Sequence, residues 1–275
     1  MQNVHLSPPE LARMLGVNES TVKRWIDRGL LSAVRTPGGH RRVRREDLQA
    51  FLASQEGSRK HSYKLQQFKK HTETFGWSRY YELHRDYAPG EARKYLTGAF
   101  VANGSILTTL EQVVLPTLAR IGAAWREGVL DIADEHRMTF LMRADLITLE
   151  AMLPAPPAAA PCALLACVPG ENHELVLQML SLVLRSVGWE SVVLGINVPA
   201  REIERVVASR RIGAVYLAKL YPAESHLTYV RSVRRSMPHA IPLRVGGAGW
   251  NHAELTAIER MKDVAYVPSF RALAS

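Results

Sequence analysis

Glu171-Asn172-His173 places a carboxylate two residues ahead of an imidazole, in a loop between an apolar run and a helical pattern. An imidazole keeps a lone pair at neutral pH and can bind a transition metal, while a nearby carboxylate can brace its other ring nitrogen. Taken alone, a histidine at such a place is more simply a helix-cap residue. Two further groups sharpen the question. Gly246-Gly247 offers backbone that a large ligand could approach closely, and Trp125 lies a short way before Glu135-His136. On a helix Glu135 and His136 point about 100° apart, so both can border one cavity without facing it equally. On their own they read as a core tryptophan beside a surface Glu-His pair. Cys162 and Cys167 flank a strand-like run on opposite or unequal faces, which favours reduced core thiols over a disulfide or a metal pair. No Ser-His-Asp order, paired carboxylates or phosphate-binding glycine loop stands out, since the first loop is Val168-Pro169-Gly170-Glu171. The chain is therefore expected not to be an enzyme.

Short apolar runs at 163–168, 191–194, 214–217, 241–245 and 264–267 alternate with helical patterns near 172–187, 201–210 and 224–236 and one more before the last run. That alternation predicts a doubly wound parallel α/β (Rossmann-like) domain over 162–275, with ligands beyond the carboxyl ends of its strands. His173 falls there, after the first strand. Upstream, an Ala/Pro connector covers 154–161. Residues 76–153 carry helical periodicity broken at Pro89-Gly90, Asn103-Gly104 and Gly128, which predicts a four-helix bundle. A polar linker is expected at 56–75.

Residues 1–55 have the order of a winged helix-turn-helix. Ser7 is the expected N-cap of a short helix ended by Gly16, and Asn18 that of a second, over 19–28. In the second helix Val22, Trp25 and Ile26 are expected to face inward. Ser20, Thr21, Lys23 and Arg24 are expected to face outward, where they can reach base edges in a major groove. Strands at 33–36 and 40–44 around Pro37-Gly38-Gly39 form a wing, whose Arg35, His40, Arg41, Arg42 and Arg44 can meet phosphates or enter a minor groove. A helix over 46–52 closes the unit. Charge supports the division: the net charge is +9, yet the first 75 residues hold 14 Lys+Arg against 7 Asp+Glu. A basic head on a near-neutral body suits nucleic acid, although a solvated basic hairpin is the plain alternative. The 47% hydrophobic content is enough for two or three packed units. Apolar runs are interrupted well before 18 residues and no leader precedes them, so a cytoplasmic protein with no membrane partner is expected.

Resemblance extends these readings. Thr21-Val22-Lys23-Arg24-Trp25 through Arg35-Thr36-Pro37-Gly38-Gly39-His40-Arg41-Arg42 resembles the heads of MerR-type and excisionase-like regulators, which implies double-stranded DNA as partner. Trp125-Arg126-Glu127-Gly128 to Asp134-Glu135-His136 resembles the cap of cobalamin-dependent photoreceptor regulators of the CarH/LitR type. In that family the tryptophan lies over the upper face of the corrin and the Glu-His pair shapes the pocket, which implies those roles for Trp125, Glu135 and His136. Gly170-Glu171-Asn172-His173 resembles the Asp-x-His-x-x-Gly signature of base-off cobalamin modules and implies His173 as the lower axial cobalt ligand. Val245-Gly246-Gly247-Ala248-Gly249 resembles the glycine loop that takes the displaced nucleotide tail. The corrinoid would then lie between the helical cap and the αβ domain.

Three positions depart from the pattern. Arg126 stands where the best-known members carry a histidine that captures cobalt after light, and a protonated guanidinium has no lone pair to give. Val176 replaces a glycine. Ala218-Lys219-Leu220 resembles a Ser-x-Leu element without its hydroxyl, so Lys219 is expected to meet a cofactor phosphate instead. As a whole the resemblance implies a repressor that is a homo-oligomer, dimer or tetramer, controlled by adenosylcobalamin or another cobalamin and responsive to light. A corrinoid carrier for methyl transfer, or a regulator of this fold working without cobalamin, are the alternatives.

Overall fold

The computed structural model describes residues 5–15, 18–36, 38–44, 47–48, 51, 75–222 and 224–273. Nearly all of the linker expected at 56–75 lies outside them, as do Gly16, Pro37 and most of the closing helix expected at 46–52. The chain separates into two compact units, Met1–Pro154 and Ala155–Ser275.

In the first unit, Ser7 opens α1 (Pro8–Leu15) through a reciprocal cap. Its N–H donates to Glu10 Oε2 at 2.7 Å, and the Glu10 N–H donates to its Oγ at 3.4 Å. Asn18 stands at the N-cap of α2 (Glu19–Asp27) in extended conformation, but its side chain makes no capping bond. The wing strands β2 (Val34–Arg35) and β3 (Arg41–Arg44) pair antiparallel, Arg35 opposite Arg41. A strand that the sequence pattern does not predict, β1 (His5–Leu6), pairs with the other edge of β3. Leu11, Val22, Trp25, Leu31, Val43, Leu48 and Phe51 are buried, with the Trp25 and Phe51 rings 5.1 Å apart. These residues give the small head a core of its own.

The bundle begins with α3 (Trp77–Arg85) and α4 (Pro89–Asn103). Then α5 (Ile106–Thr109), a π-helical turn (Leu110–Val114) and α6 (Leu115–Arg126) follow one another directly, and α7 (Ile132–Met152) completes the four rods. The expected breaks are present: Pro89 opens α4, while Gly104 and Gly128 adopt φ of 64° and 71°, a left-handed conformation that favours glycine. Pro116 explains the widened turn. It has no N–H for the carbonyl four residues back, and its ring crowds that carbonyl. Among Leu96, Leu110, Met138, Met142, Leu146 and Leu149, all fully buried, sits one polar cluster. Asp145 accepts the Tyr80 hydroxyl at 2.9 Å and Arg93 Nε at 3.1 Å, with His84 Nε2 also 3.1 Å away, which ties α7 to α3 and α4.

The second unit is a five-stranded parallel sheet. In chain order its strands are β4 (Cys162–Cys167), β5 (Glu190–Gly195), β6 (Ile212–Ala218), β7 (Leu243–Gly246) and β8 (Val264–Val267). Their spatial order is β5-β4-β6-β7-β8, the doubly wound arrangement whose order reverses between β4 and β6. Helices α8 (Leu175–Ser186), α9 (Ala200–Ser209), α10 (Leu227–Arg235) and α11 (His252–Glu259) connect the strands. Alternation along β4 feeds two cores: Leu164 and Ala166 join Val215, Leu217 and Val245, while Ala163, Leu165 and Cys167 join Leu177, Leu180 and Tyr216. Cys162 and Cys167 are free thiols, and burial, with the Glu171 and Glu174 carboxylates adding to it, pushes Cys167 up to about 12. No helix among the described residues is long and apolar enough to cross a membrane.

Candidate functional site

The reversal between β4 and β6 brings the loops that follow these strands side by side, and Glu171 bridges them. Its Oε1 accepts the His173 N–H at 2.9 Å and is in close contact with His173 Nδ1. Its Oε2 accepts the Leu220 and Tyr221 N–H groups at 2.6 and 2.9 Å. Burial alone would raise this carboxyl. The His173 ring and the backbone N–H groups of His173, Tyr221 and Leu220 outweigh burial and hold it at about 2. A carboxylate on Nδ1 keeps the proton there, so Nε2 is the nitrogen that carries the lone pair. The His173 side chain is 62% exposed. A neutral imidazole braced in this way is suited to be an axial metal ligand. The same bonds explain why α8 starts at Leu175 rather than near residue 172: residues 171–174 fold around the carboxylate instead of entering the helix.

Lys219 does not occupy the place expected of it. The side chain is 1% exposed and donates to both oxygens of the buried Glu254, at 3.0 and 2.9 Å, with Nζ 5.0 Å from the Trp250 ring centroid. A lysine so enclosed cannot meet a cofactor phosphate, because it already has a carboxylate partner inside the domain. Glu254 was hidden from a search for binding residues, although Asn251-x-x-Glu254 is a capping-box pattern that places it at the start of a helix. It also accepts the N–H groups of His226 and Asn251 at 3.1 Å. Burial opposes the ionised form, but Lys219 and these two backbone donors keep the carboxyl below its ordinary value.

The glycine loop departs from expectation in its use. A Cβ on Gly247, whose φ is +100°, would lie 2.3 Å from the Lys219 carbonyl oxygen, and one on Gly249 would lie 2.7 Å from that of Tyr221. Both positions need glycine because the chain's own 219–221 segment passes against them. At Gly246 the nearest such contact is Val267 O at 3.2 Å.

On the bundle, Trp125 ends α6 and is 48% exposed, so it is not the core residue that its type alone would imply. Asp131 caps α7 by accepting the Asp134 N–H at 2.7 Å. One turn on, Glu135 accepts the Thr139 hydroxyl at 3.0 Å and lies 2.5 Å from His136 Nδ1. The structure therefore brings Glu135, His136 and Thr139 into one polar group. Arg126 is exposed, as are Val129, Ile132, Phe140 and Ile147.

In the head, Ser20, Lys23 and Arg24 are exposed on α2, but Thr21 is not. At 6% exposure it faces the core with Val22 and Trp25, because residues four apart share one side of a helix. On the wing Arg35 and His40 are exposed, while Arg42 is half-buried. Arg41 is ion-paired with Asp27, and Arg44 with Asp47 at 2.9 Å. Lys23 pairs with Glu19 at 2.7 Å.

Comparison with known proteins follows this division. Residues 6–56 match the helix-turn-helix domain family, and residues 79–150 match the B12 binding domain family. The chain is 33% identical over 144 residues to the HTH-type transcriptional repressor CarH of Myxococcus xanthus, a match covering 52% of this chain and 48% of that protein. Against the HTH-type transcriptional repressor CarA of the same organism it is 30% identical over 261 residues, 87% of this chain and 85% of the relative. The chain belongs to this CarA/CarH repressor family. Its relatives are thus regulators rather than enzymes, and it carries a B12-binding region. Among solved structures, the monomethylamine corrinoid protein of Methanosarcina barkeri shares the fold, with a TM-score of 0.57 at 13% identity over 71% of this chain and 93% of that one.

Proposed function

We propose that the chain represses transcription by binding double-stranded DNA through its head, and that a cobalamin held by the rest of the chain sets whether it does so. The observation that carries the cofactor half is the Glu171-His173 pair at the strand ends, with the tautomer fixed so that Nε2 presents the lone pair. Adenosylcobalamin is the form proposed: it supplies a cobalt–carbon bond that absorbs visible light and breaks. In this reading His173 is the lower cobalt ligand and Glu171 orients it. Trp125, with Glu135 and His136, borders the opposite face of the corrin. Arg126 cannot act as a metal ligand, since its guanidinium stays protonated. Ser20, Lys23, Arg24, Arg35, His40, Arg41, Arg42 and Arg44 contact DNA. Arg41 and Arg44 would exchange an intramolecular carboxylate for a phosphate in doing so.

Control by light requires two states that the cofactor stabilises unequally, and a change of oligomeric state is the form proposed here. The test is to load the full chain with adenosylcobalamin in darkness, measure its mass and its retention of an operator fragment, and repeat both after green light. A larger dark assembly that retains DNA and disperses in light is expected. A mass unchanged by cofactor and by light would overturn the switch. Operator retention by the head separates this reading from a methyl-transfer carrier, for which the basic wing has no use.

A further inference from the structure

We propose that the αβ domain recognises a corrinoid without lodging its nucleotide tail, so that cobinamide, which has no tail, binds at least as tightly as cobalamin. The inference rests on the cofactor reading above and concerns which corrinoids that site admits.

Three observations fill the space where a tail would have to enter. Gly247 and Gly249 leave room, but the backbone of 219–221 already occupies it, since added Cβ atoms would fall 2.3 and 2.7 Å from its carbonyl oxygens. That segment is held from both sides. Lys219 N–H donates to Gly246 O and Gly249 N–H to Lys219 O, each at 2.9 Å, while Glu171 takes the Leu220 and Tyr221 N–H groups from the other loop. Beneath it, the Lys219 ammonium is enclosed with Glu254, and separating such a pair would leave an uncompensated buried charge. On the α8 face of the sheet, Val176 and Leu220 pack with Phe270 against Cys167, Tyr216 and Ala218. Val176 and Ala218 are two of the positions where this sequence departs from the cobalamin signature, and both lie in that apolar cluster.

The preference follows from competition at cobalt. In free cobalamin the benzimidazole of the tail can occupy the lower coordination position, so His173 must displace it. A displaced tail adds affinity only if the protein buries it, and otherwise the displacement is a net cost. Cobinamide has nothing to displace.

Spectrophotometric titration of the full chain with aquocobalamin and with diaquocobinamide, each beside the His173→Ala variant, tests this. Cobinamide should bind with an equal or lower Kd, and both spectral changes should vanish in His173→Ala. Aquocobalamin bound tighter than cobinamide by about threefold or more would overturn the proposal and leave the cofactor reading intact. Binding of both corrinoids that survives His173→Ala overturns the proposal by showing a different site. Failure of both corrinoids to bind would overturn the proposal and the cofactor reading together.

Discussion

The protein contains two carboxylate–imidazole pairs that look alike in sequence and differ in their surroundings. In both, a glutamate meets Nδ1 of a histidine one or two residues on. Glu171 is buried and is held by three backbone N–H groups besides the ring, and these come from two different loops. Glu135 is partly exposed on one helix, with Thr139 as its other partner. A carboxylate fixed from several directions holds its histidine in one orientation, whereas one on a helix surface leaves the ring free to turn toward whatever approaches. The first pair is built as a ligand, and the second as an adjustable wall.

Separating the stabilities of the two pairs should give the largest effect. Glu171→Ala leaves the Leu220 and Tyr221 N–H groups unpaired and should lower the unfolding free energy by about 3 kcal/mol, whereas Glu135→Ala should change it by less than about 0.5 kcal/mol. Urea denaturation measures both, and equal losses would erase the distinction. Cofactor affinity comes next. His173→Ala should weaken cobalamin binding at least tenfold, about 1.4 kcal/mol, and His136→Ala less than about threefold; a reversed order in titration would make the bundle histidine the ligand. Acid sensitivity gives a third contrast. Glu171 titrates at about 2 in the folded chain against 4.5 in the ordinary state, so its contribution is complete above 4.5 and is lost as the pH falls from there through about 2. Glu171→Gln should flatten stability measured across that interval, and an acid limb identical to the parent would contradict the hydrogen-bonding account. The smallest change is expected from Thr139→Val, less than about 1 kcal/mol by thermal unfolding, because its hydroxyl serves a partly hydrated carboxylate.

The strands of the sheet and the helix breaks of the bundle were legible because both are written in local pattern: continuous apolar runs, a proline at a helix start, glycines at left-handed turns. His173 was legible as a residue at a strand end, and its carboxylate partner followed from proximity in sequence. Lys219 was misread because its partner lies 35 residues away, across a fold that places both side chains inside. Thr21 was misread by one helical step, since a threonine is small enough to be accepted on either side of an amphipathic stripe. Strand β1 spans two residues, too few for a period to exist. The glycines were identified as necessary but for the wrong neighbour, because sequence shows that a side chain is missing and not what fills its place.

The π-helical turn at Leu110–Val114 sets the angular phase of everything that follows it on the rod. Such a turn holds one residue more than an α-helical turn, so deleting a single position there would rotate the distal segment by about 100°. Trp125 would swing to another side of the bundle while remaining in the same helix, so a one-residue deletion could relocate the indole without altering its chemistry.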